Sequence, residues 1–215
     1  MSSAVPAAAA QTSVRPVPAP PLTYEEFLEW ADEDTYAEWV GGEVVFMSPA
    51  SLPHQNLSDF LTALLRLYVE DHDLGQILSA PFQMRLARVN RGREPDILFV
   101  ARENAGRLQR NFLDGPADLV IEIVSPESAL RDRGEKYAEY EAEGVGEYWL
   151  LDPDTARADF FILGTDGRYE RVREDAQGIY RSAVVTGFWL NVTWLWQSPL
   201  PRLRDVLNAQ EPNSG

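Results

Sequence analysis

The chain contains no cysteine. That excludes a disulfide framework, a thiolate metal site and a cysteine nucleophile. It also fits a reducing compartment, so a cytoplasmic location is expected. Histidine is nearly absent, with only His54 and His72. No apolar run approaches the roughly 20 residues of a membrane-spanning helix. There is no P-loop, GxGxxG, HExxH or GxSxG pattern, which removes several phosphate, dinucleotide, zinc and serine chemistries. Positive charge is scarce: 19 Lys and Arg face 34 Asp and Glu, for a net charge of −15. Such a balance argues against a passive nucleic-acid-binding protein, whose phosphate-facing surface must be basic. Lysine is scarcest of all. Lys136 is the single lysine among the 19 basic residues, and lysine differs from arginine as a compact point charge with a shiftable pKa.

What is present suits a folded domain. The 215 residues are 45% hydrophobic and 25% charged, enough to bury a sizeable core. Residues 1–20, rich in Ala, Pro, Ser and Val, read as a disordered tail and lack the basic start and unbroken apolar core of a signal peptide. Residues 21–208 read as one domain, and 209–215 as a loose tail. Thr23 with Glu26 predicts a capped helix over 22–31. Residues 35–48 predict a hairpin turning at Gly41-Gly42. Leu57, Phe60, Leu61, Leu64, Leu65 and Tyr68 predict a helix over 53–72. Strands are expected over 76–87, 94–101 and 117–125, then a helix over 128–144 closed by Gly144. Strands 146–152 and 158–164 should pair, followed by a β-rich end. Trp189, Trp194 and Trp196 there suit a core or dimer contact. The order predicts a mixed α/β fold (α+β), with the 128–144 helix as a crossover.

Two carboxylates sit where core strands should be apolar. Asp96 follows Pro95 at the mouth of one strand, and Glu122 interrupts the run "LVIEIV". A buried unpaired carboxylate costs several kcal/mol or neutralises. Either arginines or backbone amides offset that cost, or a hard cation such as Mg²⁺ does. Lys136 lies on the following helix with Tyr140 one turn on; locally, an Asp132–Lys136 surface pair is the better explanation of it. Residues 85–110 carry seven arginines against three acids, either a solvated edge or a phosphate-facing patch.

Taken together, "GEVVFMSPAS" with His54 after it, "EPDILFV", and "PADLVIEIVSPES" followed by "RDRGEKYAEYEAEGVGEYWLLDP" resemble the Uma2 (DUF820) family of restriction-endonuclease-like proteins. That family is a branch of the PD-(D/E)XK nuclease superfamily. The resemblance spans about residues 22 to 200. It implies a restriction-endonuclease-like core: a mixed central β-sheet flanked by helices, with an added hairpin. It also implies Mg²⁺- or Mn²⁺-dependent hydrolysis of phosphodiester bonds in DNA. Asp96, Glu122 and the Ile123 carbonyl would hold the metal. The superfamily's lysine position, two residues after the acid, is here Val124, and the helix residue Lys136 would replace it. Glu43 and His54 are candidates for a supporting role; Arg85, Arg93 and Tyr140 are candidates for substrate contact. A homodimer is expected by analogy with nucleases that cut two strands. The competing expectation is an inactive nuclease-fold domain acting in protein interaction or regulation.

Overall fold

The computed structural model describes residues 16–32, 35–126 and 128–210. The expected tails lie outside these residues over 1–15 and 211–215. Helix α1 (Tyr24–Trp30) starts at Thr23, whose hydroxyl accepts the Glu26 N–H while Glu26 accepts the Thr23 N–H, completing the predicted capping box. The hairpin forms as β1 (Ala37–Val40) and β2 (Glu43–Phe46). Gly41 and Gly42 both take positive φ at its turn. Helix α2 (Leu52–Asp71) buries the predicted stripe from Leu57 to Tyr68.

Residues 76–87 depart from expectation. They form two strands, β3 (Gly75–Ser79) and β4 (Gln83–Leu86), in different sheets. Pro81 between them has no N–H to give either ladder. The chain continues through β5 (Arg91–Arg93), β6 (Ile97–Ala101), β7 (Phe112–Asp114) and β8 (Leu119–Ile123). The crossover helix opens with a π-helical turn (Arg131–Lys136) and passes into α3 (Tyr137–Glu143), which Gly144 closes at φ 93°. Next come β9 (Glu147–Asp152), β10 (Arg157–Leu163) and β11 (Tyr169–Val172). The end is less β-rich than its composition suggests. Only the short pair β12 (Ile179–Arg181) and β13 (Trp189–Asn191) forms. Asn191 then caps a 3₁₀ turn (Val192–Trp196), and α4 (Leu203–Gln210) follows. Trp194 and Trp196 pack on the core there.

The central sheet has the order β11-β10-β9-β8-β6-β3, with β8 and β9 parallel and its other pairs antiparallel. A second sheet has the order β2-β1-β5-β4-β7. Strand alternation divides β8 between two cores. Leu119, Ile121 and Ile123 pack with α2 and α4. Val120 and Val124 pack with Tyr140 of α3 and with Met84 and Leu86 of the second sheet. Glu122 shares the parity of Val120, and so it faces α3 and the second sheet. No helix among the described residues is long and apolar enough to cross a membrane.

Candidate functional site

Strands β6 and β8 pair with Ile97 opposite Ile121. Continuing that register by one residue sets Asp96 opposite Glu122, on the same face. Asp96 Oδ2 accepts the Ile123 N–H at 2.6 Å and lies 3.2 Å from His54 Nε2 at the start of α2. Glu122 Oε1 accepts from Lys136 Nζ at 2.9 Å and from the Tyr140 hydroxyl at 2.6 Å. The π-helical turn and α3 therefore turn Asp132, Lys136 and Tyr140, spaced by four, onto one buried face.

The second sheet adds Glu38. It lies opposite Arg93 when the β1–β5 register is continued by one residue. Glu38 is fully buried, accepts from Arg93 Nη1 at 2.7 Å and stands 3.2 Å from Lys136 Nζ. Arg93 spends its other donors on Glu139, at 2.8 Å each. Glu94 accepts from Gln83 at 2.7 Å, while its second carboxylate oxygen is buried without a partner. Asp96, Glu122, Ile123, Glu94, Lys136, His54 and Arg131 all line one cavity of about 130 Å³. At Asp96 and His54 it adjoins a groove of about 670 Å³ along α2.

Carboxylates outnumber cations in this cluster, and the titration tendencies reflect it. Burial pushes the Glu122 carboxyl up to about 8; Asp132, Asp96 and Glu38 add to the shift and Lys136 opposes it. Burial, then Glu38, pushes Glu94 up to about 7. Burial alone would lower the Lys136 amine, but Glu122, Glu38 and Asp132 overcome it and hold the amine well above its ordinary value. These two senses conflict, because the upward pull on Lys136 presumes an ionised Glu122. Lys136 keeps an ionised partner in either case, since Glu38, paired with Arg93 at 2.7 Å and held below the ordinary glutamate value, stands 3.2 Å from the amine. The strain falls on Glu122. Against burial, the Asp96 hydrogen bond and charge raise His54.

A hard divalent cation fits this donor set. Mg²⁺ takes only one or two protein carboxylates and keeps several waters. Asp96 and Glu122 offer two carboxylates in a cluster with surplus negative charge. Among the described residues no group of three or more His, Asp or Glu is arranged to hold a metal by itself, so water and backbone oxygen would complete the coordination.

The structure thus brings Asp96, Glu122, Lys136, His54 and Ile123 together, and with them Tyr140 and Arg93. The last two are corrected as substrate contacts: both side chains are fully buried, and both are committed to carboxylates. Arg85 lies elsewhere, over the Tyr24 ring and paired with Glu25 and Asp114. Glu43 is exposed on β2, with no hydrogen bond or ion pair to the cluster among the described residues; Glu38 is the glutamate that the hairpin delivers. The Asp132–Lys136 pair is buried, at 3.5 Å, rather than on the surface. Of the arginine-rich segment's seven arginines, Arg85, Arg91, Arg93 and Arg102 are engaged in ion pairs. Sequence reasoning missed Glu38, Glu94 and Arg131. Glu38 carried the same signal as Glu122, an acid inside the apolar strand "AEWV".

Comparison with known proteins places the chain in a family. Uncharacterized protein slr1290 of Synechocystis sp. is 25% identical over 70% of this chain and 78% of its own length. A second Synechocystis protein, sll1609, is also 25% identical, over 65% of this chain and 80% of its own. The crystal structure of a "putative nuclease belonging to DUF820" from Anabaena variabilis shares the fold, with a TM-score of 0.69 and 16% identity over 82% of this chain and 98% of that one. The profile of the family described as "Putative restriction endonuclease" matches residues 24–193, and the chain belongs to that family, Uma2.

Proposed function

We propose that this protein is a divalent-metal-dependent endonuclease that hydrolyses phosphodiester bonds in DNA, with Mg²⁺ or Mn²⁺ as its cofactor. The observation that carries the reading is the surplus of buried carboxylates around Asp96, Glu122 and Lys136, lining one cavity. Asp96 and Glu122 would hold the metal, with the Ile123 carbonyl as a further ligand. When bound, the ion supplies Lewis-acid stabilisation of phosphoryl charge and a water acidic enough to attack near neutral pH. The Ile123 N–H and His54 orient Asp96. Tyr140 and Lys136 orient Glu122 through the same carboxylate oxygen. Lys136 also places a fixed positive charge beside the reacting phosphate, where preorganised charge stabilises a developing anion.

Cleavage of a mixed DNA library with Mn²⁺, together with Mn²⁺ titration calorimetry, tests the reading. Wild type should cut and bind, with affinity falling as pH drops below about 8, where Glu122 takes up its proton. Asp96→Asn and Glu122→Gln should do neither, and Lys136→Met should cut roughly 10²-fold more slowly. Metal binding unchanged in Glu122→Gln would overturn it. A second reading, an inactive interaction domain on the same fold, draws on the arginines consumed in ion pairs, which leave fewer cations for DNA. Robust cleavage lost in Lys136→Met rules that reading out.

A further inference from the structure

Arg131 opens the π-helical turn and lines the cavity shared by Asp96, Glu122 and Lys136. It is the one arginine among the described residues that does so. Its guanidinium makes no hydrogen bond or ion pair among those residues, and its Nε is buried without an acceptor. Other arginines around this helix behave differently. Arg91 donates once to Glu139, Arg93 forks onto it, and Arg133 bridges Asp152 and Asp159. Arg131 exerts its charge on Glu38 but does not bond to it.

Lys136 cannot supply what Arg131 offers. Its amine is buried and already surrounded by Glu122, Glu38 and Asp132. A free guanidinium presents up to five donors in a planar fork that matches two oxygens of one phosphate. The cavity therefore combines carboxylates from β8, from the segment before β6 and from Asp132 with one uncommitted guanidinium, that of Arg131.

We propose that Arg131 binds the non-bridging oxygens of the substrate phosphodiester, which makes it a catalytic residue and makes this cavity a phosphate site as well as a carboxylate site. The role at the scissile bond rests on the nuclease reading above; phosphate binding is testable without turnover.

The full chain is compared with Arg131→Ala and Arg131→Lys in three measurements. In Mn²⁺-dependent cleavage of a labelled DNA duplex, Arg131→Ala should lower kcat roughly 10²-fold, with Arg131→Lys recovering only part because it lacks the fork. In calorimetry, both variants should bind Mn²⁺ as wild type does, unlike Glu122→Gln. In anisotropy with a fluorescein-labelled DNA oligonucleotide in Ca²⁺, Arg131→Ala should bind about tenfold more weakly, a loss comparable to one charge-assisted hydrogen-bonded contact. Thermal denaturation should show the fold retained, because no internal hydrogen bond or ion pair is removed. Wild-type cleavage by Arg131→Ala, or oligonucleotide binding unchanged in it, overturns the proposal. If wild type binds the oligonucleotide through Arg131 yet cuts nothing, the nuclease reading fails and the phosphate site stands. If wild type neither binds nor cuts, both fall.

Discussion

Replacing Glu122 with glutamine should make the metal-free protein more stable near neutral pH while removing its metal binding. Glu122 is 3% exposed, and its carboxyl sits at about 8 against an ordinary 4.5. A carboxyl held that high keeps a proton in the folded chain that the unfolded chain has already released. Stability must therefore fall as pH rises from about 4.5 to about 8, at about 1.4 kcal/mol per pH unit for one proton. Between pH 5 and pH 7 the wild type should lose about 2–3 kcal/mol on this account. Glu122→Gln has no such proton, and its amide oxygen can still accept from Lys136 and Tyr140. Glu94 and His54 titrate in both proteins, so their contributions largely cancel in the comparison. Urea denaturation in EDTA at pH 5, 6, 7 and 8 reads the difference directly. The two stability profiles should diverge by about 2–3 kcal/mol from pH 5 to pH 7 and run parallel above about pH 8. Parallel profiles throughout would mean that Glu122 ionises at an ordinary value, and the surplus-carboxylate argument would fail with it.

Tyr140→Phe removes one of the two donors to Glu122 Oε1 and should cost about 1–2 kcal/mol, measured by urea denaturation, with the fold retained. Arg93→Ala leaves Glu38 buried without its guanidinium and should cost about 3–5 kcal/mol by the same measurement. Arg85→Ala, in a position remote from the cavity, should leave cleavage of the DNA library within twofold of wild type.

Much of this organisation is legible in the chain itself, because helices and strands obey local rules. The Thr23–Glu26 capping box, the Gly41-Gly42 turn and the apolar stripe of α2 depend on residues a few positions apart. Pro81 shows where such reading stops: alternation extends through residues 76–87, yet the proline hands the chain from one sheet to the other. The short strands β5 and β7, with three residues each, lie below what periodicity can detect.

At the site, the sequence alone determined that Glu122 and Asp96 are anomalies on apolar strands and that Lys136 has no counterpart elsewhere in the chain. Tertiary structure decided what surrounds them. Glu38 and Arg93 meet 55 positions apart because two strands of the second sheet pair in one register. Sequence periodicity says which face a side chain takes, but not which distant chain segment covers that face. For the same reason Arg93 and Tyr140, which look available in the sequence, are buried partners of carboxylates, while Arg131 has no hydrogen-bond or ion-pair partner among the described residues at the cavity.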